Sequence, residues 1–83
     1  MKRTINSEES KKLGMWLRAR REDKGMNMRE LAALINKPHS FVGKVEVQTR
    51  RLDVVEFIGY CNALELSPSQ AMREIEALLS TKP

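Results

Sequence analysis

The chain holds a single cysteine and a single histidine among 83 residues, and each scarcity removes a class of function. Cys61 has no partner for an internal disulfide. It falls on the apolar face of a predicted helix, which points to a buried, reduced thiol and a reducing compartment. His39, without a second histidine or further cysteines, leaves a metal site short of its usual ligands. No segment carries the ~18 apolar residues of a membrane span, and the opening MKRTINSEESKK lacks the apolar core of a signal peptide. The expected location is the cytoplasm. A nucleophile-base-acid set, a metal-ligand cluster and a glycine-rich phosphate loop are all missing, which argues against an enzyme. No cofactor, membrane or small-molecule ligand is indicated, and there is no strand pattern, internal repeat, linker or low-complexity tract.

What the chain does have is charge, unevenly spread. Lys and Arg outnumber Asp and Glu by 15 to 11 overall. Residues 1–51 hold 13 basic and 6 acidic side chains, a net of +7, whereas residues 52–83 hold 2 and 5, a net of −3. A polyanion such as double-stranded DNA would be drawn to the first part and not to the second. With 41% apolar residues the chain can build one core, so a single domain over residues 1–83 is expected. The first five or six residues and Ser80 to Pro83 are expected to be loose.

Five helices and an all-α fold follow from the patterning. The first has Asn6 or Ser7 as cap, Glu8 and Glu9 in its opening turn, and runs to Lys24 before Gly25 ends it. Leu13, Trp16 and Leu17, with Arg20 or Arg21 a turn later, form its inner stripe. Asn27 with Glu30 is a capping box for the second helix, whose apolar set is Met28, Leu31, Ala32, Leu34 and Ile35. Asn36, which tolerates the left-handed conformation, stops it, and Pro38 suits the opening turn of the third. Asp53 with Glu56 caps a fourth helix in which Val54, Phe57, Ile58, Cys61 and Leu64 share a face. Ser67, Pro68 and Gln70 open a fifth that extends to about Leu79, with Ala71, Met72, Ile75, Leu78 and Leu79 apolar.

The second and third helices, over residues 27–47, form a pair joined by a tight turn, the arrangement that places one helix in a DNA major groove. Phe41, Val42 and Val45 supply the inner face of the third helix and leave His39, Ser40, Gly43 and Lys44 outward as candidate readers of bases. Lys44 can donate to guanine O6 and N7, His39 to a purine N7 or a phosphate, and Ser40 to several bases. Gly43 offers only room, for a thymine methyl or a close backbone approach. Asn27 with the free N–H groups of the second helix, Arg29, Lys37, Arg50 and Arg51 are the candidate phosphate contacts. Each arginine has the alternative of pairing with a neighbouring acid, as Arg51 could with Asp53.

The runs LGMWLRARREDKGMNMRELA (13–32), KPHSFVGKVE (37–46) and RRLDVVEF (50–57), in this order and spacing, resemble the phage-repressor and Cro-like (XRE-type) helix-turn-helix family over roughly residues 11–67. The resemblance implies a compact five-helix repressor-like domain that reads DNA through its third helix, as a homodimer on a pseudo-palindromic operator. It also implies that Arg21, four residues before Gly25, pairs with Glu46 at the end of the recognition helix. Three features depart from the pattern, one being Asn36 in place of the turn glycine of the motif. Met28 stands where a phosphate-binding glutamine is usual, and Val47-Gln48-Thr49 replaces the small residue and glycine that usually close the third helix. Met72, Ile75, Leu78 and Leu79 are the candidate dimer contacts, or else they close the core of their own subunit. A sequence-specific regulator, most plainly a repressor, is therefore expected. The alternative is a protein-interaction module, antitoxin-like or an accessory subunit, contacting its partner through Met28, Gly43 and Val47.

Overall fold

A computed structural model describes residues 7–80. In chain order the helices are α1 (Glu8–Asp23), α2 (Met28–Leu34), α3 (Ser40–Glu46), α4 (Val54–Ala63) and α5 (Pro68–Ser80). Among the described residues there is no strand. Asn6 and residues 81–83 lie outside them, and with them most of the expectation of loose ends. Ser80 does not belong to a loose tail: it is the last residue of α5, and its Oγ donates to the Glu76 carbonyl at 2.8 Å.

Local chemistry sets the starts. Ser7 Oγ accepts the Ser10 N–H at 3.1 Å, with Glu8 and Glu9 facing the positive end of the α1 dipole and Arg20 and Arg21 the negative end. Two reciprocal capping boxes follow. Asn27 Oδ1 accepts from Glu30 N while Glu30 Oε1 accepts from Asn27 N, and Asp53 and Glu56 repeat the arrangement at α4. Pro68 occupies the first position of α5, where its missing N–H costs nothing. Pro38 lies outside α3 altogether: its carbonyl accepts the Phe41 N–H at 2.9 Å, and His39 takes the cap position.

Four helices stop in the same way, with a left-handed residue just past the cap. These are Gly25, Asn36, Gln48 and Glu65, at φ 69°, 60°, 63° and 60°. In each case the next N–H reaches back to the carbonyl five residues before it, as Lys37 does to Ala32 at 2.9 Å and Thr49 to Lys44 at 2.9 Å. So α3 closes without the glycine that the resemblance would lead one to expect. Gln48 takes that position, and its buried side chain donates Nε2–H to the Val45 carbonyl at 2.6 Å.

The principal core joins Leu17 of α1, Leu31 and Ala32 of α2, Phe41, Val42 and Val45 of α3, and Tyr60 and Leu64 of α4. A second cluster unites Phe57 and Cys61 of α4 with Ala71 and Ile75 of α5. Leu13, Trp16, Leu52 and Leu66 touch both. Trp16 is half-buried at this seam, with the Arg20 guanidinium 5.5 Å from its ring centre. Cys61 is buried and free, and desolvation pushes its thiol pKa up, so the reactive thiolate is disfavoured.

The inner face of α4 is rotated from the one expected. Phe57, Tyr60, Cys61 and Leu64 point in, while Val54 and Ile58 are exposed. Both sets obey helical spacing, but the observed one buries a whole tyrosine ring in place of two aliphatic side chains. Gly59, on the exposed side, is free of packing, since a Cβ there would meet nothing within 4 Å. Gly59→Ala should therefore raise stability by about 1 kcal/mol through helix propensity alone. In a thermal melt this would appear as a rise of about 4–8 °C. A lowered melting point would show that the position needs its glycine.

Candidate nucleic-acid interface

The turn over residues 35–39 carries the chain from α2 to α3, and the two helices pack together through Leu31, Ala32, Phe41, Val42 and Val45. One face of α3 is thus consumed by the core. On the other, His39, Ser40 and Lys44 are exposed and Gly43 is half-buried. Their spacing places an imidazole, a hydroxyl and an ammonium along one edge of a two-turn helix. The His39 side chain makes no capping hydrogen bond to α3. A Cβ on Gly43 would come within 3.4 Å of Met28 Sδ, which puts the start of α2 beside the outward face of α3. Val47, a turn beyond Gly43, is also exposed.

The inner end of α3 is held by two contacts with α1. Arg21 Nε donates to Glu46 Oε2 at 2.6 Å and Nη2 to Oε1 at 3.1 Å, while Nη1 donates to the Met26 carbonyl at 2.8 Å. Both side chains are shielded, 8% and 3% exposed. The guanidinium pKa is raised, first by its hydrogen bond to Glu46. Beside this pair, α1 approaches so closely that a Cβ on Gly14 would lie 2.2 Å from the Glu46 carbonyl oxygen.

The candidate phosphate contacts divide into two groups. Arg29 and Arg51 are exposed, on α2 and in the α3–α4 loop. Lys37 and Arg50 instead meet on one carboxylate: Lys37 Nζ lies 3.3 Å and Arg50 Nη2 2.7 Å from Glu56 Oε2. Both also sit over the Phe41 ring, 5.2 and 5.0 Å from its centre. The Asp53 backbone N–H, followed by the Arg50 and Lys37 hydrogen bonds, holds the Glu56 carboxyl down at about 2. Asn27 spends its Oδ1 on the cap of α2, and Glu30 takes the Asn27 N–H, so a carboxylate already occupies that helix end.

Of the four candidate dimer contacts, Ile75 belongs to its own subunit's core, at 5% exposure, and Leu79 packs against the same cluster. Met72 is exposed and Leu78 half-buried. Sequence reasoning also missed three residues that shape the site. Gly14 had a signal, because a glycine in mid-helix calls for a packing reason. Gln48 stands where a glycine cap would, and Glu56 gave no sign beyond its capping box. Among the described residues no group of His, Cys, Asp or Glu side chains is placed to hold a metal ion, and no helix is long and apolar enough to cross a membrane.

Comparison with known proteins agrees with this architecture. No curated protein matches the sequence. Residues 17–70 match the Helix-turn-helix family. The fold superposes on an XRE-family like protein from Pseudomonas syringae pv. tomato str. DC3000 with a TM-score of 0.77 and 36% identity, over 84% of this chain and 85% of that one. A matched segment spanning most of the chain, together with that degree of identity over nearly the full length of both proteins, establishes that the chain belongs to the XRE-type helix-turn-helix family.

Proposed function

We propose that the chain is a sequence-specific DNA-binding transcriptional regulator, a repressor that occupies a pseudo-palindromic operator as a homodimer. The observation that carries this reading is the division of α3: one face buried in the core, the other presenting His39, Ser40 and Lys44 to solvent, with cations before and after it. In this reading Lys44 donates to guanine acceptors, Ser40 and His39 read neighbouring bases, and Gly43 lets the backbone approach. Arg29, Lys37, Arg50, Arg51 and the side-chain NH2 of Asn27 hold phosphates and fix the register. Two half-sites about one helical turn, ~34 Å, apart would suit a symmetric pair. Met72 and Leu78 offer the apolar surface for it on α5, with Ile75 and Leu79 supporting from beneath. The cytoplasm is the compartment this role requires.

Affinity for duplex DNA measured across a salt series is the direct test. A regulator should show log affinity falling linearly with log salt, with a slope of about −0.9 for each phosphate neutralised. Lys44→Ala should alter the preferred site, whereas Arg51→Ala should weaken every duplex alike and make the slope shallower by about 1. Unchanged footprints for Lys44→Ala would remove it from the reading surface.

The exposed Met28 and Val47, on either side of Gly43, favour a second reading in which this face docks a protein. A module of that kind would show little DNA binding even at low salt.

A further inference from the structure

We infer that Glu56 is an internal competitor for the DNA backbone, an anion that occupies the two cations bracketing α3 and so restrains sequence-independent binding to DNA. The inference rests on the DNA-binding reading above. Lys37 lies in the turn before α3 and Arg50 in the loop after it, and Glu56 joins them through one carboxylate oxygen, Oε2, at 3.3 and 2.7 Å. The layering matters as much as the distances. The Glu56 side chain is 14% exposed, against 35% for Lys37 and 43% for Arg50, so the carboxylate lies behind and the cations lie in front. Phe41, beneath both cations, is fixed in the core and keeps them on the side of α3.

An anion gripped at once by an ammonium and a guanidinium is the geometry in which a DNA phosphate would be held. Glu56 supplies that anion from within the protein. A phosphate arriving at this corner meets a net charge of about +1 rather than +2, and must share donors already directed at a carboxylate. Among the hydrogen bonds and ion pairs of Glu56, none reaches His39, Ser40 or Lys44. The penalty therefore falls on backbone contacts, which any sequence offers, and not on base contacts. By lowering a term that operator and random DNA share, Glu56 weakens both alike, and so sets how tightly and with what salt dependence the protein holds any duplex.

Glu56→Gln tests this directly. The amide oxygen can still accept the Asp53 N–H that Glu56 Oε1 accepts at 2.9 Å, so the cap of α4 is retained. Circular dichroism and a thermal melt would establish that the variant is folded. Random-sequence duplex titrated across a salt series is then compared for wild type, Glu56→Gln and Glu76→Gln, an exposed α5 change of equal charge. The expected result is a slope steeper by about 1 for Glu56→Gln only, with affinity for random duplex up about 8-fold at 0.1 M salt. Adding Glu56→Gln to a Lys37→Ala/Arg50→Ala background should give no more than the Glu76→Gln effect. Equal slopes for Glu56→Gln and Glu76→Gln, or weaker binding by Glu56→Gln, would overturn the inference while leaving the regulator reading intact. Wild-type protein that fails to bind DNA even at low salt would overturn both.

Discussion

Gly14→Ala is expected to cost more than about 3 kcal/mol and to lower the melting temperature by at least ~12 °C. An alanine in mid-helix normally gains about 1 kcal/mol over glycine. Here the gain is lost to sterics, because the new methyl would sit 2.2 Å from the Glu46 carbonyl oxygen and 3.1 Å from its carbonyl carbon. Those atoms are backbone at the end of α3, so no rotamer change relieves the overlap. Either α1 or α3 must move, and moving either disturbs Leu17, Val42 and Val45 in the principal core. For a domain of this size, whose total stability is on the order of 5 kcal/mol, that is most of the margin. The identical substitution at Gly59 should stabilise. A Gly14→Ala variant melting within a few degrees of wild type would show that the two helices can separate cheaply.

The second large effect lies beside the first. Arg21→Met should destabilise by about 3–5 kcal/mol, because it leaves the Glu46 carboxylate shielded from water with no cation to balance it. Arg21→Lys should recover little of this, since an ammonium cannot supply the paired bonds to both carboxylate oxygens and a third to the Met26 carbonyl. Removing both charges, as Arg21→Met with Glu46→Leu, should be far milder than the sum of the single changes. Urea melts of the four proteins provide the coupling energy, which should exceed about 2 kcal/mol. Additive losses would mean that the pair is not a unit. Such variants would also lose DNA binding when unfolded, so binding must be measured on folded protein before any contact is assigned.

The helices were legible because their starts are written locally. Asn27 with Glu30, Asp53 with Glu56 and Ser67 with Gln70 are interactions over one turn, and the structure contains each of them. The outward face of α3 was legible for a similar reason, since Phe41, Val42 and Val45 leave little choice about which side turns in. What escaped depends on distant partners. The rotation of α4 that buries Tyr60 and exposes Ile58 is decided by what α1, α3 and α5 present to it. The burial of Ile75 reflects where α5 meets α4. Glu56 collects Lys37 from 19 positions away, and periodicity carries no trace of that meeting.

A consequence follows from the shortness of α3. Seven residues make two turns, well below the ~12–15 that an isolated helix needs to persist in water. Excised from the bundle, the segment Ser40–Glu46 would be a coil with no defined edge to offer a base pair. The recognition proposed for this helix is therefore a property of the assembled molecule and not of a transplantable peptide. In the proposed reading, grafting a new specificity onto this scaffold means altering side chains in place, on a cylinder whose position is decided by buried residues behind it.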